Sequence, residues 1–128
     1  MKTKFNFNSQ ICTTREQSER LLALGLKKET ADMFIGIDWD NELTYDNDGG
    51  YTSKLDASIP AWSLNRLIEM MPLDLFDYCF TLIKNYPSGY GVEYDELSYY
   101  HKENIYDTLI EGIEHLIKEG YFNKEYLL

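Results

Sequence analysis

The stretch ENIYDTLIEGIEHLIKEG, residues 103–120, decides the reading of this chain. Ile105, Leu109, Ile113, Leu116 and Ile117 recur at helical spacing, which puts them on one face of an α-helix. Glu103 to Glu119 therefore reads as helix. Gly120 ends it, and Glu114, four residues ahead of Lys118, supports its outer face. So apolar a stripe has to be buried against something. The preceding segment supplies the candidate. From Phe76 to Lys84, Phe76, Tyr78, Phe80 and Leu82 alternate with Asp77, Cys79, Thr81 and Ile83, the period-two pattern of a strand. Pro87-Ser88-Gly89 turns the chain. Val92 and Tyr94 then alternate with Glu93 and Asp95, and Leu97-Ser98-Tyr99-Tyr100 extends or follows that strand. The expectation is a small antiparallel β-sheet, with its Phe80 and Leu82 face covered by the last helix.

Working back toward the N-terminus, Ala61 to Met71 puts Leu64, Leu67, Ile68 and Met71 on one helical stripe, and Pro72 stops it. Residues 36–58 differ in character. Ile37, Trp39 and Leu43-Thr44-Tyr45 favour strand, Asp46-Asn47-Asp48-Gly49-Gly50 is a turn cluster, and Tyr51-Thr52-Ser53 returns as a partner strand or belongs to an acidic loop. Further upstream, Thr13-Thr14-Arg15-Glu16 fits a capping box opening a helix that carries Leu21, Leu22 and Leu24. Glu16 and Arg20 make an i,i+4 pair on it. Gly25 stands where a helix end wants a left-handed residue. A second short helix from Lys28 to Phe34, with Ala31 and Phe34 on one face, would complete an N-terminal helical hairpin. Residues 1–11 read as a flexible lead or an edge strand. The apolar tail from Tyr121 to Leu128 should dock on the body. Together these give a single α+β domain over residues 1–128: a small antiparallel β-sheet covered on one face by helices, with an N-terminal helical hairpin.

Composition narrows the function classes. Among 128 residues, 44% hydrophobic and 15% aromatic content supply a core that needs no metal or disulfide, so no cofactor is expected. The formal charge is −10, and it is uneven: residues 1–35 carry a net of +2, leaving −12 for the rest. So acidic a body repels phosphate and counts against nucleic acid as a partner. No apolar run approaches the length of a membrane helix, and the N-terminus lacks the apolar core of a signal peptide. Cys12 and Cys79 form no CxxC pair and read as reduced thiols in a cytoplasmic protein.

Three stretches carry a resemblance. Residues 12–26 (CTTREQSERLLALGL) followed by 29–33 (ETADM), residues 59–72 (IPAWSLNRLIEMMP), and residues 116–122 (LIKEGYF) stand in an order and spacing that resembles a family of short uncharacterised bacterial proteins, often associated with prophages and mobile elements. The similarity spans most of the chain, but no activity is established for the family. It therefore transfers no catalytic or binding residue and implies only a bacterial accessory protein. Residues 21–31 are also similar to the first two helices of ubiquitin-associated-type modules. The sequence Gly36-Ile37-Asp38-Trp39 breaks that pattern where the third helix would stand, so convergence explains the likeness.

Each candidate for chemistry has a plainer reading beside it. Asp38, Asp40, Glu42, Asp46 and Asp48 offer oxygen ligands for Ca²⁺ or Mg²⁺, but no EF-hand register fits: anchoring on Gly49 puts Thr44 and Leu55 at the outer ligand positions. A solvated turn accounts for them better. Glu93 and Asp95 project from one strand face roughly 7 Å apart, a separation that glycosidases use for paired carboxylates and that many wet strand faces share. His101 and His115 are too far apart in sequence, and too poorly accompanied, to read as metal ligands. Ser63 lacks the glycines of a nucleophile elbow and suits a position near a helix start, where it can satisfy a backbone N–H. Ser88-Gly89-Tyr90-Gly91 matches no phosphate loop.

The expectation is thus a non-enzymatic interaction or accessory protein without catalytic, cofactor or metal residues. Its expected partner is another protein, met through tyrosine-rich or apolar surface. Two alternatives stand beside it: an acidic DNA-mimic inhibitor, and a small hydrolase using the strand carboxylates Glu93 and Asp95.

Overall fold

The computed structural model describes residues 9–37, 43–46, 58–75, 78–94 and 99–128. Its first helix, α1 (Arg15–Ala23), opens with a capping box one residue later than the sequence suggested. Thr14 Oγ1 accepts from Gln17 N at 3.1 Å, and Gln17 Oε1 accepts from Thr14 N at 2.9 Å. Thr13 is unavailable as a cap because its hydroxyl accepts from Trp62 N at 3.0 Å and contacts Ser18 Oγ at 2.7 Å. Arg20 does not turn back to Glu16 either. Its guanidinium reaches Glu114 Oε1 at 2.7 Å, while Arg15 pairs with Glu19. At the other end Gly25 has φ +102°, Leu26 N donates to Leu21 O at 3.2 Å, and Gly25 N donates to Leu22 O at 3.0 Å. These two bonds satisfy the last carbonyls in the Schellman pattern, with Leu21 and Leu26 both in the core.

The expected second helix is absent. Lys28–Thr30 makes a single 3₁₀ turn, and Met33–Ile37 is strand β1. The helical reading rested on two apolar positions, and pairing with strands on both sides of the segment overrides it. β1 is the middle strand of a three-stranded antiparallel sheet, between β2 (Leu43–Asp46) and β3 (Ile59–Ala61). Ile35 faces Tyr45 on one side and Ile59 on the other. Leu43-Thr44-Tyr45 pairs with β1; the expected return strand Tyr51-Thr52-Ser53 and the turn cluster 47–50 lie outside the described residues.

Helix α2 (Leu64–Met70) follows β3. Ser63 caps it, its hydroxyl accepting from Arg66 N at 3.2 Å, and Met71 leaves helical geometry before Pro72. The long strand expected from Phe76 to Lys84 is divided. β5 (Tyr78–Cys79) pairs with β4 (Asp74–Leu75), whereas β6 (Thr81–Lys84) pairs with β7 (Tyr90–Glu93). Phe80 stands at the switch: its N–H goes to Leu73 O at 3.0 Å, and its ring packs 5.8 Å from that of Tyr94. β8 (Tyr99–Lys102) completes the sheet in the order β6-β7-β8, so Tyr99 and Tyr100 follow β7 as a separate strand, while Leu97 and Ser98 lie outside the described residues.

Helix α3 (Ile105–Glu119) packs on β7 and β8. Leu109, Ile113 and Leu116 are buried, and Ile105 and Ile117 are partly buried against the same cluster, which also takes in Val92, Trp62 and Phe80. Thr108 fixes the register of helix on sheet. Its buried hydroxyl accepts from Lys102 N at 3.1 Å and lies 3.2 Å from Tyr90 O. Gly120, at φ +82°, ends α3 with the same paired bonds as α1, from Gly120 N to Ile117 O and from Tyr121 N to Leu116 O. The tail docks as expected. Phe122 is buried, Leu127 bridges to Leu26, and Lys27 N donates to Tyr126 O at 2.8 Å. A smaller cluster of Cys12, Ile35 and Ala61, flanked by Met33, lies apart from the main core. The architecture is α+β, and among the described residues no helix is long and apolar enough to cross a membrane.

Candidate functional site

Two helix starts meet at the N-terminal segment. Asn104 caps α3, its Oδ1 accepting from Tyr106 N at 2.8 Å and Asp107 N at 3.1 Å, as Thr14 and Gln17 cap α1. Gln10 joins the two caps into a closed ring of carboxamides. Gln10 Nε2 donates to Gln17 Oε1 at 2.7 Å, Gln17 Nε2 to Asn104 Oδ1 at 3.3 Å, and Asn104 Nδ2 to Gln10 Oε1 at 3.0 Å. Spare capacity is used as well: Gln17 Nε2 reaches Asp107 Oδ1 at 2.7 Å, and the Tyr106 hydroxyl donates to Gln10 O at 3.1 Å. Beside the ring is a half-open cavity of about 380 Å³, bounded by Ser9, Gln10, Leu64, Tyr90, Ile105 and Tyr106 among others. That volume is at the lower end of small-molecule sites.

A second polar cluster underlies the first. Asp32 accepts from Ser63 N at 2.8 Å and from Ser63 Oγ at 2.5 Å. Ser63 thus spends its proton on a carboxylate while its oxygen caps α2, a structural use that agrees with its expected place at a helix start. Cys12 is buried nearby. Desolvation, reinforced by the Asp32 charge, pushes its thiol up to about 11, so it is protonated and poorly nucleophilic near neutral pH. Burial raises the Tyr106 phenol as well. Cys79 is the exposed thiol of the pair.

Among the described residues the sequence candidates do not converge. Asp38, Asp40, Glu42, Asp48 and Asp95 lie outside the described residues, and Asp46 ends β2 opposite Phe34. Glu93 is half-buried on β7, between Thr81 and Tyr99, and does not border the cavity beside the amide ring. His101 is exposed on β8, hydrogen-bonded to the Asn85 amide and laid over β7 so closely that a Cβ on Gly91 would meet its Cε1 at 2.9 Å. An open cavity of about 330 Å³ brings His101 together with Asn85, Ser88, Lys102 and Glu103, but among the described residues neither Glu93 nor a tyrosine borders it. Ser88 Oγ donates to Glu103 Oε1 at 2.8 Å, and Lys102 Nζ lies 3.1 Å from Glu111 Oε2, so these charges answer one another. His115 is exposed on α3. Among the described residues no three His, Cys, Asp or Glu side chains are grouped to hold a metal ion.

Apolar side chains left in solvent mark the other notable surface. Leu73 is 86% exposed and Tyr78 52% exposed, at the start of the β4–β5 hairpin and on its returning strand. Their neighbours Leu75 and Phe80 pack on the main core and hold the hairpin in place. Sequence reasoning placed Tyr78 on the buried face, because the division of the strand at Phe80 leaves no local mark. It also passed over Gln10, Gln17 and Asn104. The Thr14-x-x-Gln17 spacing was a legible signal for one of them, whereas nothing local marks Gln10. Comparison of the chain with family models, with curated proteins and with solved structures returns no match.

Proposed function

We propose that this chain is a non-enzymatic interaction protein of a bacterial accessory system, docking a partner protein on the β4–β5 hairpin. The observation that carries this reading is the pair Leu73 and Tyr78, held in solvent on a hairpin that is itself anchored by Leu75 and Phe80. An apolar side chain and a tyrosine beside neighbours packed on the core provide contact area at little ordering cost. The exposed Asp74 between them and the formal charge of −10 suit a partner with an apolar spot in a basic surround. The bacterial setting rests on the resemblance of residues 12–33, 59–72 and 116–122. The acidic DNA-mimic reading calls for rows of unpaired carboxylates. On α3, Glu114 is engaged by Arg20 and Lys118, and Glu111 by Lys102, which favours the protein-docking reading.

The test is a parallel affinity capture with the wild-type chain and with Leu73→Asp, followed by reconstitution of any recovered pair from purified components. A partner that binds wild type and loses the variant supports the hairpin site. A partner that binds both equally removes it, and self-association of the purified chain would make a second copy the occupant.

A further inference from the structure

Ser9 to Cys12 form a strap across the starts of α1 and α3, and its ties are of two kinds. At the front, the ties run through the Gln10 carboxamide to Gln17 and Asn104, and from the Tyr106 hydroxyl to Gln10 O. At the rear, Thr13 is fixed to a neighbouring main chain in both directions: Thr13 N donates to Trp62 O at 2.8 Å and Trp62 N to Thr13 Oγ1 at 3.0 Å. Between these ends Cys12 is buried in the small cluster with Ile35 and Ala61, and not in the main core. Among the described residues, lifting the strap would therefore break a few side-chain ties and one satellite contact, and leave the packing of α2, α3 and the β6-β7-β8 sheet in place. Segments with so little buried apolar contact open below the free energy of global unfolding.

We propose that residues 9–12 are a latch that swings on Thr13, closed by the amide ring, and that its opening bares Cys12 together with one wall of the cavity beside Tyr90 and Tyr106. Ser9 and Gln10 line that cavity, so a strap moved far enough to expose Cys12 takes them with it.

The two cysteines provide the assay. Cys79 is exposed and Cys12 is 2% exposed, so a Cys79→Ser background leaves Cys12 as the single thiol. Its reaction with a chromogenic aromatic disulfide is followed at rising urea, beside the global unfolding curve of the same protein. The latch predicts a labelling rate whose urea dependence is far shallower than that of global unfolding. Gln10→Ala and Tyr106→Phe should each raise the rate about five- to thirtyfold in the absence of urea, as the loss of one or two net hydrogen bonds implies. Labelling that tracks global unfolding overturns the latch. So does a labelling rate in the absence of urea that neither Gln10→Ala nor Tyr106→Phe raises.

Discussion

Truncating Leu109 to Ala probes the packing on which everything else is placed. Leu109 is fully buried at the middle of α3, in the cluster that joins the helix to Val92 and Trp62. The substitution removes three carbons from that cluster. At about 0.8 kcal/mol per buried methylene, the transfer contribution alone is about 2.4 kcal/mol. The hole left behind adds to it, because a close-packed interior relaxes only in part. Alanine returns a few tenths of a kcal/mol through its helix propensity. The expected net cost is about 3 kcal/mol, a large fraction of the about 5–15 kcal/mol that holds a small domain together. Urea unfolding followed by far-UV circular dichroism should show the midpoint falling with the slope unchanged. Glu119→Ala, at an exposed position of the same helix, should stay within about 0.5 kcal/mol of wild type. A Leu109→Ala cost below about 1 kcal/mol would refute the placement of this stripe against the sheet.

Two further outcomes follow from the same contacts. Thr108→Val keeps the shape of a buried side chain but removes the hydroxyl that bonds Lys102 N and Tyr90 O, and should cost about 1–3 kcal/mol by the same titration. Stability should fall as pH rises between about 9 and about 11. Unfolding lets Cys12 ionise near its ordinary value while the folded chain holds the proton to about 11, so the unfolded state binds fewer protons in that window. Tyr106, also raised, acts in the same sense just above its ordinary value, and Cys12→Ala should flatten only the earlier part of the decline in stability measured across a pH series.

Those elements that were legible in the sequence are the ones whose signal is local. α3 announces itself by five apolar residues at helical spacing and a terminal glycine, and α2 by its stripe and Pro72. β6 and β7 are joined by a short turn, so alternation on either side of Pro87-Ser88-Gly89 suffices to pair them. What escaped depends on residues far apart. β1 is a strand because Leu43–Asp46 and Ile59–Ala61 flank it, and the pairing of Ile35 with Ile59 leaves no trace in the residues next to either. The capping box moved from Thr13 to Thr14 because Trp62 claims Thr13, although the two threonines are locally equivalent. The same holds for the candidate site. The amide ring closes across 94 residues, between Gln10 and Asn104, and the exposure of Tyr78 follows from a change of strand partner at Phe80.

The most direct measurement of the docking claim is the equilibrium affinity of the reconstituted pair, determined by titration calorimetry for wild type, Leu73→Asp and Tyr78→Ala at low and high salt. A hairpin site predicts that each variant weakens binding at least about tenfold, as loss of a buried anchor does. Wild-type affinity should also fall with added salt, because the acidic chain meets a basic surface. Equal affinities for all three proteins would contradict it.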